Sequence, residues 1–454
     1  MLVHPAIAES CASAIDGVVS DPDVRGRLAA AAVEGPELLR WFTGISDGRS
    51  DQGRDHPVAM VLTLCAAAVL AGMRSFTAIA GWVADVPAEL LAWLYLRPTP
   101  GAPSKTTLWR VLTGVDAAAV DAAIGSWLAE QAQRTTAAAA AATAARAPDA
   151  DRADEADGAD GADGADEADE ADEADEADGA DEADGADEAL LAIAVDGKTV
   201  RGAVTADGAQ VHLMAAATHG DQLVLGQVEV GAKTNEIPMF APLIDQLAAT
   251  GIDLSRLVVT ADALHCQRDH ATYLHQRGAG FVFTVKHNQP GLFAALDALP
   301  WTDTPIAHRQ TDRGHGRITT RTIQTLPAPP DLPFPHVNQV WLIERYVTDL
   351  AGTPTSAIAA LGITNLHTNQ AGPADIARLV RDHWGVESLH WLRDTVYRED
   401  HSRARTRSGP RVMAGLRNLA IGALHLAGRR DITEATRWAT RNMHRPFQIL
   451  GLTP

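Results

Sequence analysis

Apolar positions recur at every third or fourth residue through the first part of the chain. Residues 36–41, 57–73, 76–86 and 88–96 each carry Ala, Leu and Val at that spacing, which predicts a run of helices over residues 1–135. A further helix is expected after Pro103, with Ser104 as its N-cap, because a serine hydroxyl accepts from an amide left unpaired in the first turn. Residues 76–112 also allow a helix-turn-helix reading with Lys105, Trp109 and Arg110 towards DNA, against a plain bundle with Trp109 in its core. From residue 190 the pattern turns to alternation. Strands are expected at 192–195, 211–218 and 223–230, joined by turns at Asp207-Gly208 and Gly220-Asp221. A helix at 238–249, a strand at 257–261, a helix at 267–277 and a strand at 280–285 follow.

Three strands in a meander and then helix, strand, helix, strand is the element order of a ribonuclease-H-like mixed sheet with helices on its faces. In that arrangement the first and fourth strands are neighbours. Residues 300–372 alternate again at 317–325, 339–348 and 355–363, which reads as a β-rich insertion, and 373–395 reads as one helix. The expected fold class is therefore α/β. An all-α part at 1–140 is followed by a spacer at 141–189, then by a ribonuclease-H-like domain at 190–454 with the insertion at about 300–372.

Charge changes this picture at one place. The formal net charge is −20, but residues 149–189 alone carry 21 Asp and Glu against one Arg, so the remainder is neutral. The run repeats Ala-Asp-Glu and Ala-Asp-Gly and holds no large apolar residue. Such a segment cannot bury enough surface to offset the entropy of ordering it, so a disordered spacer is expected. A DNA mimic competing for the chain's own basic surfaces is the sharper alternative. Residues 373–454 carry 14 Arg against eight Asp and Glu, which suits a polyanion as well as a solvated helical surface. Three cysteines without paired spacing argue against a disulfide framework or a zinc site and fit a reducing compartment. The Ala-rich uncharged run 58–73 has 16 residues where a membrane span needs about 20. With no secretory n-region, these features lead to the expectation of a cytoplasmic protein with no membrane partner.

Candidate chemistry lies in three carboxylates far apart in sequence. Asp196 ends an apolar strand before a tight turn expected at Gly197, Asp262 ends the strand at 257–261, and Glu387 sits on the helix at 373–395. His383, Glu387, His390 and Asp394 fall at i, i+4, i+7 and i+11, one face of that helix. The expectation is that Asp196, Asp262 and Glu387 meet and hold two divalent metal ions, since hard cations take oxygen ligands. Glu399 or Asp400 is an alternative third member. His265, His270, His383 and His390 are read as structural, because no two sit with a cysteine at zinc-ligand spacing. Only four lysines stand among 34 arginines, and Lys198, Lys233 and Lys286 fall at strand ends. They are expected to touch phosphate, as compact point charges suit. Arg313, His315 and Arg317 lie in a glycine-rich turn suited to close approach to DNA, and Arg381, His383 and Arg393 are further DNA candidates beside Glu387.

Seven segments in order carry a resemblance. They are Ala-Val-Asp-Gly-Lys-Thr-Val-Arg-Gly (194–202), Gly-Ala-Lys-Thr-Asn-Glu-Ile-Pro (231–238), Thr-Ala-Asp-Ala-Leu-His (260–265) and Val-Lys-His-Asn-Gln-Pro (285–290), then Asp-Arg-Gly-His-Gly-Arg (312–317), His-Trp-Gly-Val-Glu (383–387) and Arg-Asn-Leu-Ala-Ile-Gly (417–422). Together they resemble the H-repeat-associated insertion-sequence transposases, a DDE family, from about residue 30 to 452 outside the acidic run. The resemblance implies a helical associated domain, a ribonuclease-H-like catalytic domain and the triad Asp196, Asp262 and Glu387. It also implies two Mg²⁺ or Mn²⁺ ions, cleavage at the element's terminal inverted repeats, strand transfer into target DNA, and a homodimer on two double-stranded ends. A metal-dependent nuclease without strand transfer, and an inactive DNA-binding relic, are the competing readings.

Overall fold

The computed structural model describes residues 37–49, 54–95, 101–146, 190–204, 208–231, 234–314 and 316–452, with side chains of 137–146 excepted. Of the spacer expected at 141–189, residues 141–146 are helical and 147–189 lie outside the described residues, as do Cys11, Lys233 and His315.

The helical periodicity gives α1 (Glu37–Phe42), α2 (Val58–Leu70), α3 (Phe76–Ala84), α4 (Ala88–Tyr95), α5 (Lys105–Gly114) and α6 (Ala117–Arg146). Every residue of α2 is buried, which is why its sequence lacks a polar stripe. Among the described residues no single helix is long and apolar enough to cross a membrane. Ser104 caps α5 as expected, accepting from the Thr107 amide at 3.2 Å. Trp109 is 41% exposed on that helix, so it is not a core residue.

The alternating region gives β1 (Leu191–Val204), β2 (Gln210–Thr218), β3 (Val224–Val230), α7 (Phe240–Ala249), β4 (Leu257–Ala261), α8 (Arg268–Gln276), β5 (Gly280–Val285), α9 (Pro290–Asp297), β6 (His308–Gly314), β7 (Arg317–Pro327), β8 (Gln339–Asp349) and β9 (Pro354–Thr364). The nine strands form one mixed sheet in the order β3-β2-β1-β4-β5-β9-β8-β7-β6. β1 pairs antiparallel with β2 and parallel with β4, so the first and fourth strands are neighbours as expected. The β-rich insertion extends this sheet, because β9 pairs antiparallel with β5. Alternate residues of β4 serve opposite faces. Leu257 and Val259 join the large core, while Val258 packs with Val282, Ile376 and Leu379 on the other side.

Five helices close the chain: α10 (Pro373–Asp382), α11 (Gly385–Thr395), α12 (Gly409–Leu426), α13 (Ile432–Thr440) and α14 (His444–Ile449). The single helix expected at 373–395 is thus two, broken at His383-Trp384. The large core runs without interruption from Leu38 and Val61 through Ile193 and Phe283 to Leu416 and Leu452. Residues up to Ala132 and from Leu190 onward accordingly cluster as one unit.

Candidate functional site

Two carboxylates are placed by strand register. Val195 of β1 faces Ala261 of β4 as their last parallel pair, and Asp196 and Asp262 are the next residue on each strand. They therefore emerge side by side where β4 stops. β1 does not stop with it. Asp196 and Gly197 remain paired with Ala215 and Met214 of β2, so the expected turn after Asp196 is instead continuous strand. Asp262 caps a short 3₁₀ turn, its Oδ1 accepting from the Leu264 amide at 2.9 Å, and is exposed.

The third carboxylate comes from α11. Glu387 stands in its first turn, exposed, with Trp384 and Trp391 on either side, 57% and 61% exposed. The same helix docks on β1. His390 Nδ1 lies 3.5 Å from Asp196 Oδ2, and Asp394 accepts from Lys198 Nζ at 2.5 Å. The expected shared face therefore holds for Glu387, His390 and Asp394. It fails for His383, which caps α10 and sets its Nδ1 3.1 Å from the Thr260 hydroxyl. Glu399 and Asp400 are not open positions. Glu399 is fully buried and accepts from Arg393 and Arg417, at 2.8 and 2.7 Å, and Asp400 accepts from the Arg201 amide at 3.2 Å.

A fourth carboxylate, which sequence reasoning did not single out, sits in the middle of this group. Glu236 accepts from His212 Nε2 at 2.8 Å and from His265 Nε2 at 3.2 Å. Its side chain crosses β1 directly over Gly197, where any Cβ would lie 2.2 Å from the carboxylate. That close approach accounts for the glycine. Burial acts against ionisation of Glu236, but the two imidazole donors outweigh it and hold the carboxyl down near about 2. Asp196 shows the opposite balance. Burial first, and then the like charges of Glu236, Asp262 and Glu387, push it up to about 6 against one amide from Gly197. Burial keeps His390 neutral, with its value lowered to about 3, and nearby Arg393 and Lys198 reinforce that.

The expected DNA contacts are dispersed. Lys198 is only 8% exposed and is paired with Asp394, so it braces α11 against β1. Arg393, expected to face DNA, is fully buried against Glu399, and that expectation is corrected. Lys286 is exposed just beyond β5, in a loop tied to the Asp262 turn by Gln289 Nε2 donating to the Cys266 carbonyl at 2.9 Å. Arg381 donates to Gln310 Oε1 at 2.8 Å, linking α10 to the outer hairpin. Arg313 and Arg317 are exposed on that β6–β7 hairpin, five and four strands from β4 in sheet order. Among the described residues no three His, Cys, Asp or Glu side chains are grouped closely enough to hold a metal ion. The chemistry of the donors still fits a hard cation. Asp262 and Glu387 are exposed oxygen ligands, and a cation would relieve the like-charge crowding that raises Asp196.

Comparison with known proteins bears on this arrangement. The family described as Transposase DDE domain matches residues 188–422, and the family described as DDE_Tnp_1-associated matches residues 39–128. The chain is 24% identical to YncI of Escherichia coli O157:H7, a protein named as a transposase, over 404 residues, covering 85% of the chain and 87% of that protein. It is 26% identical to the H repeat-associated YhhI of Escherichia coli K12, likewise named as a transposase, over 51% of the chain and 63% of that protein. Among solved structures, a piggyBac transposase in a synaptic complex with hairpin DNA aligns with a TM-score of 0.32 at 11% identity, over 56% of the chain and 52% of that one.

Proposed function

The chain belongs to the family of transposases with a DDE domain, and from that premise we propose that it cuts DNA at the ends of an insertion element and joins those ends to target DNA. Asp196, Asp262 and Glu387 are the proposed catalytic set. The observation that carries this reading is the register that puts Asp196 and Asp262 side by side, with Glu387 near enough to raise the Asp196 carboxyl. The strand order 3-2-1-4-5, antiparallel and then parallel, supports a ribonuclease-H-like core.

Asp196 would hold two Mg²⁺ or Mn²⁺ ions, with Asp262 and Glu387 each holding one. When bound, such ions supply charge neutralisation at the phosphate and an activated water. The chain's own residues supply positioning. Neutral His390 steadies one oxygen of Asp196, and the Lys198–Asp394 pair locks α11 to β1 at a fixed rotation. Water displaces the 3′-oxygen at the element's end, leaving a 3′-hydroxyl and a 5′-phosphate. That hydroxyl then displaces a 3′-oxygen of target DNA, so one phosphodiester forms as another breaks. Trp384 and Trp391, exposed beside Glu387, offer surfaces for bases at the opened end. Two double-stranded ends held by a homodimer complete the proposal.

Asp196→Asn, Asp262→Asn and Glu387→Gln should each fold and lose about 10³-fold or more in Mg²⁺-dependent cleavage. Retained cleavage in any one removes that residue from the set. Supplying pre-cleaved ends with a plasmid target separates this reading from a nuclease, which would yield no joined product.

A further inference from the structure

We propose that a cavity between α5 and the arginine segment preceding α12 is a second DNA-contact site, with Arg110 and Arg407 each on a backbone phosphate and Trp109 against a sugar or base. It rests on the reading of the chain as a DNA-processing enzyme.

The cavity measures about 430 Å³ and is walled by Thr107, Trp109, Arg110, the Asp47–Arg49 loop and Arg407. Its cations are not alike. Arg49 is satisfied by Asp47, at 2.6 and 2.8 Å, and by the His56 carbonyl at 2.7 Å. Arg110 and Arg407 are exposed and have no hydrogen bond or ion pair among the described residues. Trp109 presents its indole beside them while its helix neighbours Leu108, Val111 and Leu112 are buried. Two free guanidinium groups beside an open indole match the charge and the flat face of a nucleotide. The chain's own acidic run matches the charge alone. Its Ala, Asp, Glu and Gly residues leave the indole without a partner.

The site is held in place. Ser408 donates to the Leu112 carbonyl at 3.3 Å, and Gly409 sits so close that a Cβ would lie 3.2 Å from Thr113. Arg407 takes a left-handed φ of 46°, uncommon for a non-glycine residue.

It also connects to the carboxylates. Gly202, near the end of β1, packs against the backbone of Asp400 and Ser402, and Arg405 Nε donates to its carbonyl at 3.0 Å. From there Arg403, Arg405 and Arg407 are exposed at alternate positions, with Ala404 buried between the first two. This row leads from β1 to the cavity. At about 3.3 Å per extended residue, the segments from Asp196 to Gly202 and from Ser402 to Arg407 together span at most roughly 36 Å, or about ten base pairs of duplex.

The test is the salt dependence of binding, read with the full chain in metal-free buffer on a duplex of about 30 base pairs, so that no cleavage intervenes. Arg110→Gln with Arg407→Gln should lower the slope of log K against log salt by about 1.8, two phosphates at about 0.9 each. Trp109→Ala should weaken binding about tenfold at constant slope, and Trp109→Phe should recover most of that loss. A slope unchanged or steeper in the double variant, with its thermal midpoint retained, overturns the assignment; that is the result expected if the acidic run occupies the cavity. Failure of the triad variants to abolish cleavage would sink the proposed activity and leave this slope unaffected.

Discussion

Glu236 and Gly197 are the residues whose roles least resemble their local sequence. A glutamate in a polar loop and a glycine after an aspartate read as solvent and turn. The fold instead presses one across the other beside Asp196. Gly197→Ala should therefore cost about 1–3 kcal/mol, because its methyl group has no room beside the carboxylate. Adding Glu236→Ala should return part of that loss in urea unfolding; additive losses would refute the contact. Glu236→Gln removes a like charge and should lower the Asp196 carboxyl from about 6, visible by carbon NMR titration of the metal-free chain. Thr260 sets up a pH effect. Its hydroxyl donates to the Ile193 carbonyl and accepts from His219 and His383, both lowered to about 4, first by burial. Below about 6.5 the unfolded imidazoles take up protons that the folded ones refuse. The stability they contribute is full above about 6.5 and is lost as pH falls towards 4, by at most about 1.4 kcal/mol per pH unit for each. Unfolding at pH 7 and 5 should show this loss reduced in His219→Gln/His383→Gln. An equal loss in both proteins would refute it.

At the scale of elements, α11 is positioned by charge as much as by apolar packing. Arg393 of α11 and Arg417 of α12 share the carboxylate of Glu399, and all three are almost fully buried. Removing the anion leaves two guanidinium groups uncompensated, so Glu399→Gln should destabilise by about 3–5 kcal/mol in urea unfolding. A loss below about 1 kcal/mol would mean that water reaches the arginines. The strands and helices around the carboxylates were legible in the sequence because alternation and i, i+4 spacing are local signals. β1, β4 and β5 lie where their apolar runs put them, and the pairing of β1 with β4 follows from element order. What was not legible depends on tertiary contacts. Asp-Gly reads as a turn until β2 is known to pair across it, and nothing in His-Trp-Gly marks the break between α10 and α11. An arginine looks the same in sequence whether it faces solvent, as Arg407 does, or is sealed against a glutamate, as Arg393 is.

Across the whole molecule, the helices before residue 132 and the sheet after residue 190 close one interior. Asp121 of α6 accepts from Arg411 of α12 at 2.7 Å and from Gln227 of β3 at 3.1 Å, and Asn418 donates to Gln227 at 3.0 Å. Gly125 of α6 lies so close to β3 that a Cβ would meet the Leu225 carbonyl at 2.0 Å. Neither surface was built to meet water: 16 of the 18 residues of α12 are buried. Residues 190–454 produced alone would expose that apolar helix and leave Arg411 and Gln227 without Asp121. The fragment should aggregate, and co-expression of residues 1–140 as a separate chain should return it to solution with a single cooperative melt. A soluble 190–454 fragment with its own sharp transition would mean that the helical part is an appendage. The expected outcome places it inside the folding unit, so that the DNA contact proposed on α5 and a carboxylate carried on β1 share one folded frame.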